Sequence, residues 1–307
     1  MPLRSGVHHF GAVHLIRCSA WLLWTLGLSA CDTANAARDS GEGGHGGQTG
    51  DNEWSIEFKL VSGGDEVSCG APWDHVGTSR SEVQLRAFAF YVHDLKLIRD
   101  GGKREALELV ADDAFQSSEV ALLDFDDGTG RCAVGTAEQH STLHLRGGTH
   151  DELVGLEFTL GVPQDLNHLD LAGATSPLNQ PEMYWSWQGG YKFLRLELES
   201  PKNPKGYLVH VGSMECEGSP ALGYECGAEN RAHIELTGDP SNGVIVDVSA
   251  LLAGVDVDVI PDGVTDVVAG CMSNATDPEC LPVYGALGLP FGDEPAPSDG
   301  QRVFRLR

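Results

Sequence analysis

The run Val83-Gln84-Leu85-Arg86-Ala87-Phe88-Ala89-Phe90-Tyr91-Val92-His93-Asp94-Leu95-Lys96-Leu97-Ile98 decides the fold class. It is rich in β-branched and aromatic residues that recur with a period near two, the repeat of a strand with one face on a core. Shorter runs of the same kind flank it: Trp54–Val61, Val120–Phe125, Thr142–Leu145, Leu153–Val162, Tyr191–Leu198, Tyr207–Val211, Ala232–Leu236 and Val244–Val248. Gly, Pro, Asn and Asp separate them, and no long amphipathic helix intervenes. The pattern predicts an all-β chain, an antiparallel β-sandwich with long loops, over residues 53–290. Ser249–Gly254 and Ala286–Leu289 read as single helical turns. In the tail, 291–307, a Pro/Asp-rich stretch precedes Val303-Phe304-Arg305-Leu306, which has the composition of an edge strand.

Residues 1–30 read as a lipoprotein signal peptide. Arg4 and Arg17 precede the apolar run Ala20–Leu28, which is shorter than the roughly 20 residues needed to span a bilayer but fits an h-region. It ends in Leu28-Ser29-Ala30-Cys31, the small-residue pattern before a lipid-modified cysteine. Diacylglyceryl Cys31 would hold the protein at a bacterial membrane, periplasmic or on the cell surface. Residues 31–52 are Gly-rich and polar, the composition of a flexible tether.

Removing Cys18 with the leader and assigning Cys31 to lipid leaves Cys69, Cys132, Cys216, Cys226, Cys271 and Cys280. An even number in an exported chain indicates three disulfides. The short separations favour Cys216 with Cys226 and Cys271 with Cys280, leaving Cys69 for Cys132, although spacing alone leaves the connectivity open. None has the C-x-x-C spacing of a zinc or redox motif. The net charge of −25 repels nucleic acid and attracts cations and basic partners.

No nucleophile elbow, H-E-x-x-H or phosphate loop is present, and no general base or substrate pocket declares itself, so the sequence points away from an enzyme. Asp124-Phe125-Asp126-Asp127-Gly128-Thr129-Gly130 is oxygen-rich but lacks the distant bidentate Glu of a calcium loop, and reads as a solvated acidic turn. The segment Met183-Tyr184-Trp185-Ser186-Trp187 is distinctive. If extended, it places Met183, Trp185 and Trp187 on one face, an arrangement also common in sandwich cores. His168 and His210 lie in the flanking segments. A thioether and two imidazoles beside a tryptophan pair form a soft set suited to Cu(I).

These residues resemble the MbnP family, the metallo-mystery pair four-Cys proteins found beside a di-haem, cytochrome c peroxidase-like partner of the MbnH type. The resemblance runs through Phe90–Leu97, Val120–Cys132, Gly161-Val162-Pro163 with Leu166-Asn167-His168, Met183–Phe193, and Gly270-Cys271-Met272-Ser273 with Cys280. It implies an exported copper-binding protein in which the first Trp of W-x-W, here Trp185, is oxidised to kynurenine by the partner. An indole N–H only donates; the aromatic amine and ketone of kynurenine can ligate. Expected copper ligands are His168, His210, His93, Met183 and Trp185 as kynurenine, with Trp187 a candidate electron relay. The competing function is a metal-free surface lipoprotein whose Trp185/Trp187 pair stacks on a glycan or protein.

Overall fold

The structure is a computed structural model that describes residues 53–133, 138–186, 188–260 and 268–307. The expected signal peptide, the expected lipid-bearing Cys31 and the expected tether lie outside these residues.

Alternation becomes strand geometry in Glu53–Ser62, where Trp54, Ile56, Phe58 and Leu60 are buried while Glu53, Ser55 and Glu57 face solvent. Ser81–Arg99 forms one strand of 19 residues. Its register against Leu153–Leu160 shifts between His93 and Lys96, where Asp94 takes φ 53°. A residue in this left-handed region marks a bulge, and Asp tolerates the conformation better than most.

Two sheets carry the fold. The larger has the order Ala232–Thr237, Leu153–Leu160, Ser81–Arg99, Leu194–Glu199, Tyr207–Val211, Ala269–Cys271, with Trp73–Val76, Arg104–Ala106 and Ala121–Asp124 also paired to the long strand. The smaller runs Phe304–Leu306, Val244–Asp247, Glu53–Ser62, Thr142–Arg146, Glu108–Leu109, with Asp65–Glu66 folded onto Glu53–Ser62. Their inner faces meet through aromatic rings: Phe58 lies 6.1 Å from Phe90 and 5.8 Å from Phe158, and Phe304 lies 5.5 Å from both. Each buried Phe contributes about 1.5–3 kcal/mol, with roughly 0.5–1.5 kcal/mol more from each edge or offset contact.

The sandwich is all-β as expected, but among the described residues two of its pairings are parallel: Glu53–Ser62 with Val244–Asp247, and Tyr207–Val211 with Ala269–Cys271. Both join strands far apart in sequence, where no hairpin fixes direction. Phe304–Leu306 pairs antiparallel with Val244–Asp247, and Val303 and Phe304 are buried in the common core. The sandwich therefore extends past residue 290. One helical turn forms at Val248–Leu251, overlapping the expected Ser249–Gly254 and capped by Asp247 accepting from the Ser249 and Ala250 N–H groups, whereas the other helix runs Cys280–Ala286 and ends where the expected turn Ala286–Leu289 begins.

Three disulfides join Cys69 to Cys132, Cys216 to Cys226 and Cys271 to Cys280. The first closes a separation of 63 residues and the others 10 and 9. On the loop-entropy argument the long closure contributes about 4 kcal/mol and each short one about 3 kcal/mol. Cys216 and Cys226 face each other directly across the hairpin of Met214–Ser219 and Gly223–Ala228.

Candidate functional site

From Phe88 to Val92 the long strand is buried on both faces. One face meets the aromatic core. The other is covered by the chain between Gly161 and Phe193, anchored where Tyr91 Oη donates to Pro177 O (3.0 Å) and Tyr191 Oη donates to Leu178 O (2.7 Å). This covering layer carries Met183, Tyr184 and Trp185.

Asn167, fully buried, pins the layer. Its Oδ1 accepts the Tyr191 N–H at 3.0 Å, and its Nδ2 donates towards Ser213 Oγ (3.4 Å) and His168 Nε2 (3.2 Å). Gly190 takes φ +72°, and a Cβ there would lie 2.6 Å from both Asn167 O and Oδ1. Trp185, half-buried in the short strand Tyr184–Ser186, lays its ring over Gly212. A Cβ at Gly212 would lie 2.6 Å from Trp185 Cζ3 and 2.7 Å from Tyr191 O. Ser273 Oγ accepts the Gly212 N–H and Asn230 Nδ2 donates to the Gly212 carbonyl, so the platform under the indole is held from both sides.

His168 lies on the same layer. The Asn167 amide is oriented by its bond to Tyr191, so its NH₂ faces His168 Nε2. Cys226 Sγ is 3.4 Å from that nitrogen, and the ring tilts onto Tyr224 at 4.6 Å. Gln188 Nε2 donates to Cys216 O at 3.4 Å, tying the turn after Trp185 to the same hairpin.

Other expected ligands are placed elsewhere. Pro181 opens a 3-10 turn, Pro181–Met183, and the strand starts only at Tyr184. The expected common face of Met183 and Trp185 is therefore interrupted, and buried Met183 lines a small internal cleft with Ala89, Asp124, Asp126 and Arg195. His210 is buried with Nε2 3.1 Å from Glu197 Oε1, and Arg195 Nε donates to the same oxygen at 2.8 Å. Burial would raise Glu197, but the bonds from His210 and Arg195 outweigh it and hold the carboxyl at about 2. Burial keeps His210 itself below its ordinary value, opposed by Glu197. His93 donates Nδ1–H to Gly161 O at 2.9 Å, and burial lowers it too. Trp187 lies outside the described residues.

The acidic turn is solvated only in its second half: Gly128, Thr129 and Gly130 are exposed and Asp127 half-buried, against the expectation for the whole stretch. Asp124 and Asp126 are buried, and Asp126 Oδ1 accepts the Phe88 N–H at 2.8 Å. Burial and the nearby Asp124 push Asp126 up to about 7. A further cluster, Glu157, His233 and Glu235, lies at the sheet surface, but Glu157 is already compensated by Lys96 (3.1 Å) and Arg104 (2.5 Å).

Asn167 as the pin and Gly212 as the platform were not among the expected site residues. Asn167 stands in a segment that carries the family resemblance and Gly212 directly follows the run Tyr207–Val211, yet neither a buried amide nor a ring-bearing glycine can be told from a loop residue by spacing.

These features define a three-disulfide β-sandwich with a tryptophan and a histidine held in an ordered layer over one sheet. The MbnP family model matches residues 51–273, most of the chain, and the chain belongs to that family. It is similar to the solved structure of MbnP from Methylosinus trichosporium, with a TM-score of 0.69 and 29% identity over 83% of this chain and 97% of that one. No curated protein matches.

Proposed function

We propose that this is an exported, lipid-anchored copper-handling protein whose site is completed when a di-haem partner oxidises Trp185 to kynurenine. Family membership supports the reading, and one observation carries it: Trp185 and His168 sit on a single layer pinned by Asn167. As encoded, the indole offers copper no lone pair. Cleaving its C2–C3 bond with two oxygens from two peroxides, which leave as two waters, gives N-formylkynurenine. Hydrolysis then releases formate and leaves an aromatic amine and a ketone on residue 185. With the imidazole of His168, these donors fit Cu(I). His93, His210 and Met183 remain further candidates, each requiring release from its present hydrogen bond or packing. Trp187 is the proposed relay for the oxidising hole. The role is binding and transfer of copper as cargo, and not turnover.

The test is to produce the chain with and without a di-haem protein of the MbnH type. The peptide containing Trp185 is then examined by mass spectrometry alongside metal analysis. The expected result is kynurenine and copper together, only with the partner. Unmodified Trp185 without copper in partner-processed protein would overturn the proposal.

A further inference from the structure

The hairpin disulfide lies against His168. The Sγ atoms of Cys216 and Cys226 and a ring nitrogen of His168 all fall within 4.8 Å of one another. Two thiolates and an imidazole make a strong donor set for soft d10 cations, whereas the sulfurs of a closed disulfide are poor ligands. We infer that Cys216, Cys226 and His168 form a latent Cys2His metal site, masked while the disulfide is closed and opened by thiol–disulfide exchange.

Three observations support this. First, the two cysteines are directly opposed in an antiparallel ladder that also pairs Met214 with Ala228 and Glu217 with Glu225. The backbone pairing, and not the bridge alone, keeps the two sulfurs together after reduction. Second, the disulfides differ in access. Cys69, Cys132, Cys271 and Cys280 are all 0% exposed, whereas Cys226 is half-buried and lines an open surface cavity of about 820 Å³ with Tyr224, Glu215 and Glu217. A reductant therefore reaches the hairpin first. Third, the His168 ring is already in place beside the bridge, its Nε2 3.4 Å from Cys226 Sγ and 3.2 Å from the Asn167 amide nitrogen.

The chemistry balances with a dithiol as reductant. Its thiolate attacks one sulfur of the bridge to give a mixed disulfide, and its second thiol resolves that bond. Cys216 and Cys226 gain two electrons, the reductant closes to its own disulfide, and the thiol protons pass to solvent as the metal binds. The inference rests on the proposed function only in taking His168 as a metal donor.

The test uses the full chain made without the haem partner, so that residue 185 stays an indole and the kynurenine-dependent site is absent. Its failure is thus distinct from failure of the copper proposal. The protein is briefly treated with dithiothreitol without denaturant, freed of reductant under anaerobic conditions, alkylation-mapped, and titrated with Co(II). Expected are alkylation at Cys216 and Cys226 ahead of Cys69, Cys132, Cys271 and Cys280, and one added Co(II) with a thiolate-to-metal charge-transfer band. The untreated protein should lack the band, Cys216→Ser/Cys226→Ser should lose it, and His168→Ala should bind at least about tenfold more weakly. The untreated protein has the same sequence, so the comparison holds even where the double variant folds poorly. Absence of the band after selective reduction, equal binding by His168→Ala, or earlier reduction of a buried disulfide would overturn the inference.

Discussion

The inside of the sandwich and the layer over its outer face are ordered by different forces. Phe58, Phe88, Phe90, Phe158 and Phe304 fill the space between the sheets with no polar atom needing a partner. Burial there is non-directional, and many arrangements of similar volume would serve. The layer around Trp185 depends on directed contacts: one buried amide, two glycines where a single added carbon collides, and a serine and an asparagine bracing Gly212. The interior gives the chain its stability, and the layer gives particular atoms their positions. A site that depends on modifying one ring belongs in the second kind of region.

That contrast breaks most visibly at Phe90. Phe90→Ala should destabilise the protein by about 3–5 kcal/mol in denaturant unfolding, since the ring is fully buried and bridges the sheets. Trp185 oxidation should be unchanged in the fraction that folds. Asn167→Ala sharpens it from the other side. It strands the buried Tyr191 N–H and should cost about 1–3 kcal/mol, but it should cut partner-dependent oxidation of Trp185 and copper loading far more than stability. If the two variants lost stability and loading in equal proportion, the distinction between the regions would fail.

A smaller effect separates the buried charges beneath Met183 from both regions. Asp126 in the folded protein titrates near 7, above an unfolded aspartate near 3.9. Between those values the folded state holds a proton that the unfolded state has lost, so stability should fall as pH rises through that window. Asp126→Asn should flatten this slope in unfolding measured at pH 5 and pH 8. Glu197, held at about 2, has the opposite sign: its contribution is complete above about pH 4.3 and lost as pH falls towards 2.

What the sequence disclosed follows the same division. Period-two alternation marked the strands of the interior because burial there depends only on residue type and parity. The parallel pairings of Val244–Asp247 and Ala269–Cys271 left no such trace, since direction across a long connection is set by tertiary packing. In the layer, the aromatic segment was conspicuous but its geometry was not. Pro181 turns the chain before Tyr184 and sends Met183 inward, against an expectation that assumed an extended backbone. Asp124 and Asp126 looked solvated because nothing local reveals that the covering loop and Arg195 close over them.

The most direct measurement is an anomalous-scattering map at the copper edge, from crystals of copper-loaded, partner-processed protein. The expected result is one copper peak bonded to the oxidised side chain of residue 185, with the His168 imidazole also in its coordination sphere. A peak at His210 and Glu197 or at Glu157, His233 and Glu235, with residue 185 still an indole, would contradict the account.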